Sequence, residues 1–279
     1  MARVLTSAMI VVTSLLFLDQ AQAAECDWGS LEGTVITPSV PYGVSTVSKE
    51  IGIGQSIEVA ESAAKREFSG AAISIREDVH DMNRECKLTF RSQMSVSSAT
   101  SRGRGETLTA EFGSKKSGSQ LLSLERHIGY GNDVQLPLVS EMVSELQLRF
   151  GEPSAVGKGL SESTRVYYFA YKDQQKIKID VVGPNSCRVP ASYYPPRIFD
   201  LAKNAAACDF IVHVFFDITQ STRGLAPTDP AYERYREVWI QYLDLKRARA
   251  DAAARDSWIA RLTADRARAT PATRKDKDF

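Results

Sequence analysis

The sequence predicts an α+β fold: two helix-plus-antiparallel-sheet units, read as a duplication, followed by a long C-terminal helix. Three observations carry that expectation. The stretches SIEVAESAAKREFSG and LPLVSEMVSELQLRFGEP both have helical apolar spacing, and their ends, KREFSG and LRFGEP, look alike. Each is followed by short runs that alternate or are rich in β-formers, with turn residues between them. A third helical pattern begins near Asp229 and meets no helix breaker before Pro271. The body is expected over 24–225, with repeats at 51–130 and 135–220, and a basic helix with a disordered tail over 226–279.

The chain opens MARVLTSAMIVVTSLLFLDQAQAA. Arg3 supplies a positive start, Val4 to Leu18 an apolar core, and Ala21-Gln22-Ala23 a small-x-small cleavage site, so residues 1–23 read as a signal peptide cut after Ala23. Asp19 keeps the apolar run below the roughly 20 residues a membrane span needs. Glu25 stands where a lipid-attachment box before Cys26 would need a small residue. The expected product is an exported, periplasmic chain with no transmembrane span after cleavage. Its formal net charge, +1 for the whole sequence, gives no reason to expect nucleic acid.

All four cysteines, Cys26, Cys86, Cys187 and Cys208, lie beyond the leader. An even number in an oxidising compartment predicts two disulfides, with three connectivities open. None is spaced as CxxC, and none has a histidine or second cysteine at metal-ligand spacing, so no metal and no cofactor is expected. The pairing adopted is Cys187–Cys208, with Cys26–Cys86 left by elimination. Closing a loop of 20 residues contributes about 3 kcal/mol in the chain-entropy model.

Within the first unit Ser56 is the expected N-cap, Ile57, Ala60, Ala64 and Phe68 share a helix face, and Gly70 marks the exit. GIGQS just before it reads as the turn into this helix. Ala72 to Ile75 reads as a short strand, with REDVHDMN as a charged loop carrying His80. In KLTFRSQMSV, Leu88, Phe90, Met94 and Val96 are expected on one face, with Ser92 the exception. Leu108, Ala110 and Phe112 follow on TLTAEF, then Leu122, Leu124 and Ile128 on LLSLERHI, where His127 shares a face with Glu125. The second unit opens at Pro137 and places Val139, Val143, Leu146 and Phe150 on one face before Gly151. TRVYYFAYK and KIKIDVV form strands joined through Asp173-Gln174-Gln175. DFIVHVFFDI is a strand with Val212, Val214 and Phe216 together and His213 in the core.

The stretch SIEVAESAAKREFSGAAISI with KLTFRS resembles the helix-and-strands unit of PepSY-type periplasmic modules. The second helix, ending LRFGEPS, resembles the helix-then-Gly-x-Pro element of small envelope lipoproteins of the SmpA/OmlA type, whose lipobox this chain lacks. The resemblance implies small α+β modules that bind or regulate other envelope proteins, with no catalytic residue to carry over.

From Asp229, Tyr235, Val238, Trp239, Tyr242 and Leu245 form an apolar stripe at helical spacing. Between Lys246 and Lys277 there are ten basic residues against four acidic ones. Here Trp258 and Leu262 are the expected anchors for a partner, and Tyr193 and Tyr194, on the loop between Cys187 and Cys208, a second contact. No HExxH, GxSxG or Walker pattern occurs. The expectation is a non-catalytic protein binding an envelope or periplasmic partner. The alternatives are a hydrolase with its site between the repeats and a small-ligand carrier using VYYFAY.

Overall fold

The computed structural model describes residues 24–25, 50–82, 86–99, 103–131, 135–158, 163–179, 187, 189, 197–219 and 233–269. In chain order these form β1 (Ala24–Glu25), α1 (Ile57–Glu67), β2 (Ile73–Met82), β3 (Cys86–Ala99), β4 (Arg104–Phe112), a 3-10 turn (Lys115–Ser117) and β5 (Leu121–Tyr130). There follow α2 (Val139–Phe150), β6 (Ala155–Lys158), β7 (Thr164–Lys172), β8 (Gln175–Ile177), α3 (Ile198–Asn204), β9 (Phe210–Thr219), β10 (Arg234–Asp244) and α4 (Leu245–Ala269).

Ten strands make one sheet, antiparallel throughout except for the two-residue β1 beside β3. After α1 the chain runs as a meander, β2-β3-β4-β5; after α2 it runs β6-β7-β9-β10, with β8 on β7 beside β6. The last strands of the two meanders pair with each other, Glu237–Leu243 against Gly129–Ser123. A backbone ladder therefore closes the seam between the two halves.

Both faces of the sheet are covered. On the first lie α1, through Ile57, Ala60, Ala64 and Phe68, and α2, through Val139, Val143, Leu146 and Phe150. Ser56 caps α1 as expected, its hydroxyl accepting from the Val59 N–H. The helix of the second half starts at Val139 rather than Pro137, because Leu138 bridges to Arg234 and the Pro137 carbonyl accepts from the Tyr235 N–H. On the second face α3 and the start of α4 cover β7, β9 and β10. Further along, Trp258 of α4 closes over Cys86, Leu88 and Phe90.

Three bulges decide which residues face which way. Arg76 opposes Gln93 and Glu77 opposes Arg91, so Ser92 is the extra residue. One added residue exchanges the two faces of a strand. Leu88 and Phe90 accordingly point to the second face while Met94 and Val96 point to the first, not all to one side as the alternation suggested. A second bulge at Leu122 sends that side chain to the second face and leaves Leu121 and Leu124 on the first. A third, at Arg236, lets Tyr235 and Val238 share the first face.

The largest departure from expectation is β10. Arg234–Asp244 is a central strand, and the final helix begins only at Leu245. The stripe Tyr235, Val238, Trp239, Tyr242 fits a helix, but VWIQYL is a nearly continuous apolar run. Val238, Ile240 and Tyr242 enter the first core, and Trp239 and Leu243 the second. A strand buried on both faces reads this way, and helical spacing is then accidental. KIKIDVV is a strand only as far as Ile177; Lys178 and Ile179 are outside the strand, and 180–182 lie outside the described residues.

Candidate functional site

A cleft of about 520 Å³ lies along β2, walled by Arg76 to His80 of that strand, Phe90 of β3, and Arg255, Asp256 and Ile259 of α4. Its volume falls in the range of sites that hold a small molecule or a peptide side chain, roughly 300–1,000 Å³. Three local arrangements build it.

The first is β2 itself, which continues to Met82 where a charged loop was expected after Ile75. Asp78 opposes Phe90 and His80 opposes Leu88, so both side chains lie on the second face. His80 is exposed and Val79, which points the other way, is 57% exposed. Among the described residues no strand pairs with the outer side of β2, which makes it the edge of the sheet.

The second is the docking of α4. Asp244 accepts from the Arg247 N–H at 3.0 Å and starts the helix. One turn on, the buried carboxylate of Asp251 accepts through Oδ1 from the Ser114 N–H at 3.0 Å, the Ser114 hydroxyl at 2.8 Å and the Ser117 hydroxyl. Gly113 makes the approach possible, since a Cβ there would stand 2.5 Å from Ser117 Oγ and 3.1 Å from Asp251 Oδ1. These bonds aim the helix so that Trp258, only 7% exposed, seats on Leu88 and Phe90, with Ile259 and Leu262 beside it. The Lys116 ammonium lies 5.1 Å above the Trp258 ring. Trp258, expected as a partner anchor, belongs to the protein's own third core, and Leu262, expected with it, is half-buried against that core.

The third is Arg197. Its guanidinium donates to Asp78 at 2.8 Å and lies 3.5 Å from Glu111, tying the start of α3 to β2 and β4. Glu111 in turn accepts from the Ile198 N–H at 2.9 Å and the Ser123 hydroxyl at 3.2 Å. Burial pushes the Glu111 carboxyl up, although the Ile198 N–H and the Arg197 charge oppose it. Arg76, 3.5 Å from Asp78, gives that carboxylate a second cation. Arg255 lies 5.4 Å over the Phe199 ring and contacts Asp256 at 3.2 Å. The cleft thus sets two guanidinium groups, Arg76 and Arg255, and three carboxylates, Glu77, Asp78 and Asp256, around an apolar floor of Phe90 and Ile259. Its guanidinium groups suit carboxylate and carbonyl oxygens.

The remaining expected site residues fall as follows. Cys187 and Cys208 are bonded, with Cα atoms 5.6 Å apart, and both are buried in the second-face core. Cys86 is also disulfide-bonded; Cys26 lies outside the described residues, as do Tyr193 and Tyr194. His213 is buried, its Nδ1 2.8 Å from Gln241 Oε1, and Gln241 Nε2 donates to Glu125 at 2.7 Å. His127 stacks on Trp239 at 4.4 Å and meets Glu237 at 3.1 Å. The aromatic strand VYYFAY is divided, Phe169 and Tyr171 entering the first core and Val166 and Tyr168 the second.

No family model, characterised protein or solved structure matches this chain. The cleft must be judged on its own geometry.

The sequence reading missed Arg76, Asp78, Arg197, Arg255 and Ile259. For β2 a signal was present: in ISIREDVH, Ile73, Ile75 and Val79 alternate with Ser74, Arg76, Asp78 and His80. That period of two continues well past Ile75. For Arg197 and Arg255 there was none, because their roles depend on how α3 and α4 cross the sheet.

Proposed function

We propose that this is an exported, non-catalytic protein of the periplasm that binds a protein partner through the cleft between β2 and α4. The observation that carries the reading is the juxtaposition of an edge strand, unpaired on its outer side among the described residues, with an open cleft running beside it. Edges of this kind are sites at which other chains dock. Arg197 holds the start of α3 at the cleft; Tyr193 and Tyr194, outside the described residues, remain proposed contacts on their sequence alone. Periplasmic residence fits the leader and the disulfide.

The order helix then four-strand meander, met twice, supports a duplication in which the two copies joined through their last strands. It also accords with the likeness to PepSY-type and SmpA/OmlA-type modules. The test is site-directed photo-crosslinking in cells that export the chain. A benzophenone amino acid at His80 should give a discrete adduct, while one at Leu148, exposed on α2, should give none. Equal yields from the two positions, or none from His80, would overturn the assignment of the cleft.

A further inference from the structure

We propose that the occupant of the cleft is an extended segment of a partner polypeptide, which adds to β2 as a further antiparallel or parallel strand; this rests on the partner-binding reading above. The cleft follows five successive residues of one strand, Arg76 to His80. At about 3.3 Å per residue that is a channel of roughly 16 Å, the shape of an extended chain. Main-chain hydrogen bonds to the outer side of β2 would hold the segment, and its alternate side chains would read the two faces.

Residues opposite one another on neighbouring strands share a face. On the second face the segment meets Arg76, with Arg255 across the cleft. Asp78 is held closely by Arg197, at 2.8 Å, and loosely by the exposed Arg76, at 3.5 Å, so an incoming acid can draw Arg76 away. Of the other carboxylates lining the cleft, Asp256 is held by Arg255 and Glu77 stands on the opposite face of β2. On the first face the segment meets Val79, which is 57% exposed, and the half-buried Ile75. The structure therefore assigns a segment that alternates acidic and apolar residues, the acid opposite Arg76 and the apolar residue opposite Val79.

A second copy of this chain fits less well. The antiparallel self-pairing that sets Arg76 against Asp78 places Glu77 opposite its own symmetry mate, a like-charge contact that opposes edge-to-edge association.

The test is fluorescence anisotropy with the full mature chain and a labelled octapeptide of alternating Asp and Val. Two versions N-methylated at every second residue, one in each phase, remove main-chain donors while leaving the side chains. Saturable binding is expected, weakened at least fivefold by one of the two methylated versions. Arg76→Glu should weaken binding at least fivefold, and a Lys-Val peptide should recover it on that variant. Arg76 is exposed, so a melting curve matching wild type is expected to confirm an intact fold. The inference falls if no peptide binding saturates, if neither N-methylation pattern matters, or if sedimentation shows the chain pairing with itself through a surface that Val79→Asp disrupts. Any of these results with a discrete adduct still formed from position 80 would remove strand addition and leave the partner-binding reading standing.

Discussion

His213 Nδ1 and Gln241 Oε1 face each other at 2.8 Å across β9 and β10, in the interior of the molecule. Since the amide oxygen can only accept, the imidazole carries a proton on Nδ1. Its Nε2 is buried and has no hydrogen-bond partner among the described residues. Burial, only partly offset by Gln241, holds the imidazole down to about 4 from its ordinary 6.5.

The sign of the pH effect follows. The unfolded chain takes up a proton on this histidine below pH 6.5, and the folded chain does not until about 4. Stability from His213 is therefore fully present above pH 6.5 and is lost as pH falls toward 4, by up to about 3 kcal/mol. In urea unfolding at pH 7 and pH 4.5, wild type should lose about 2 kcal/mol more than His213→Phe. Equal losses would show that another group carries the acid sensitivity.

Asp251 should be among the costliest residues to remove. Asp251→Ala leaves the Ser114 N–H and two hydroxyls without their acceptor, and removes one of the two carboxylates, with Asp244, whose charge acts on the buried Arg247. Removing one member of a buried charged network costs about 3–5 kcal/mol. Asp251→Asn retains an acceptor oxygen and should cost less. Chemical denaturation of both variants checks the order.

Gly113→Ala tests the close approach directly. Its Cβ would meet Ser117 Oγ at 2.5 Å, and the overpacking should cost about 1–3 kcal/mol. Ser117→Ala removes the obstructing oxygen. The double variant should then be less destabilised than the sum of the singles, a non-additivity that melting curves on all four proteins will read.

The bond between Cys187 and Cys208 spans 21 positions and sits in a core with Ile198, Leu201 and Ala205. Cys187→Ser should lower stability by about 2–4 kcal/mol and lower the melting temperature. Thiol titration of the unfolded wild type, before and after reductant, should show the Cys187 and Cys208 thiols only after reduction. Free thiols without reductant and an unchanged melting temperature would remove the bond from the account.

How far the sequence was legible depended on whether a residue's surroundings lay nearby in the chain. α1 was readable because Ser56, the Ile57-Ala60-Ala64 stripe and Gly70 are all local signals. The pairing of Cys187 with Cys208 was readable for the same reason. The bulges at Ser92 and Leu122 were not, because an extra residue leaves the letters alternating while the faces exchange. β10 misled because a strand covered on both sides satisfies any periodicity. Trp258 misled because the apolar patch beneath it, Leu88 and Phe90, sits far upstream and was credited to another face. Arg197 and Arg255 reach the cleft only through tertiary crossing, for which one sequence carries no local mark.

The crossing of α4 over β3 also fixes an order of events. Asp251 lies 137 residues downstream of Ser114, and Trp258, further along still, covers strands laid down in the first half. During synthesis, Leu88 and Phe90 emerge long before the helix that shields them, and the cleft has no second wall until that helix arrives. The first half therefore carries an unfinished apolar flank until α4 has docked. The wall that completes the cleft is the last part the chain acquires, and a version cut after Leu245 would leave the core beneath Trp258 exposed.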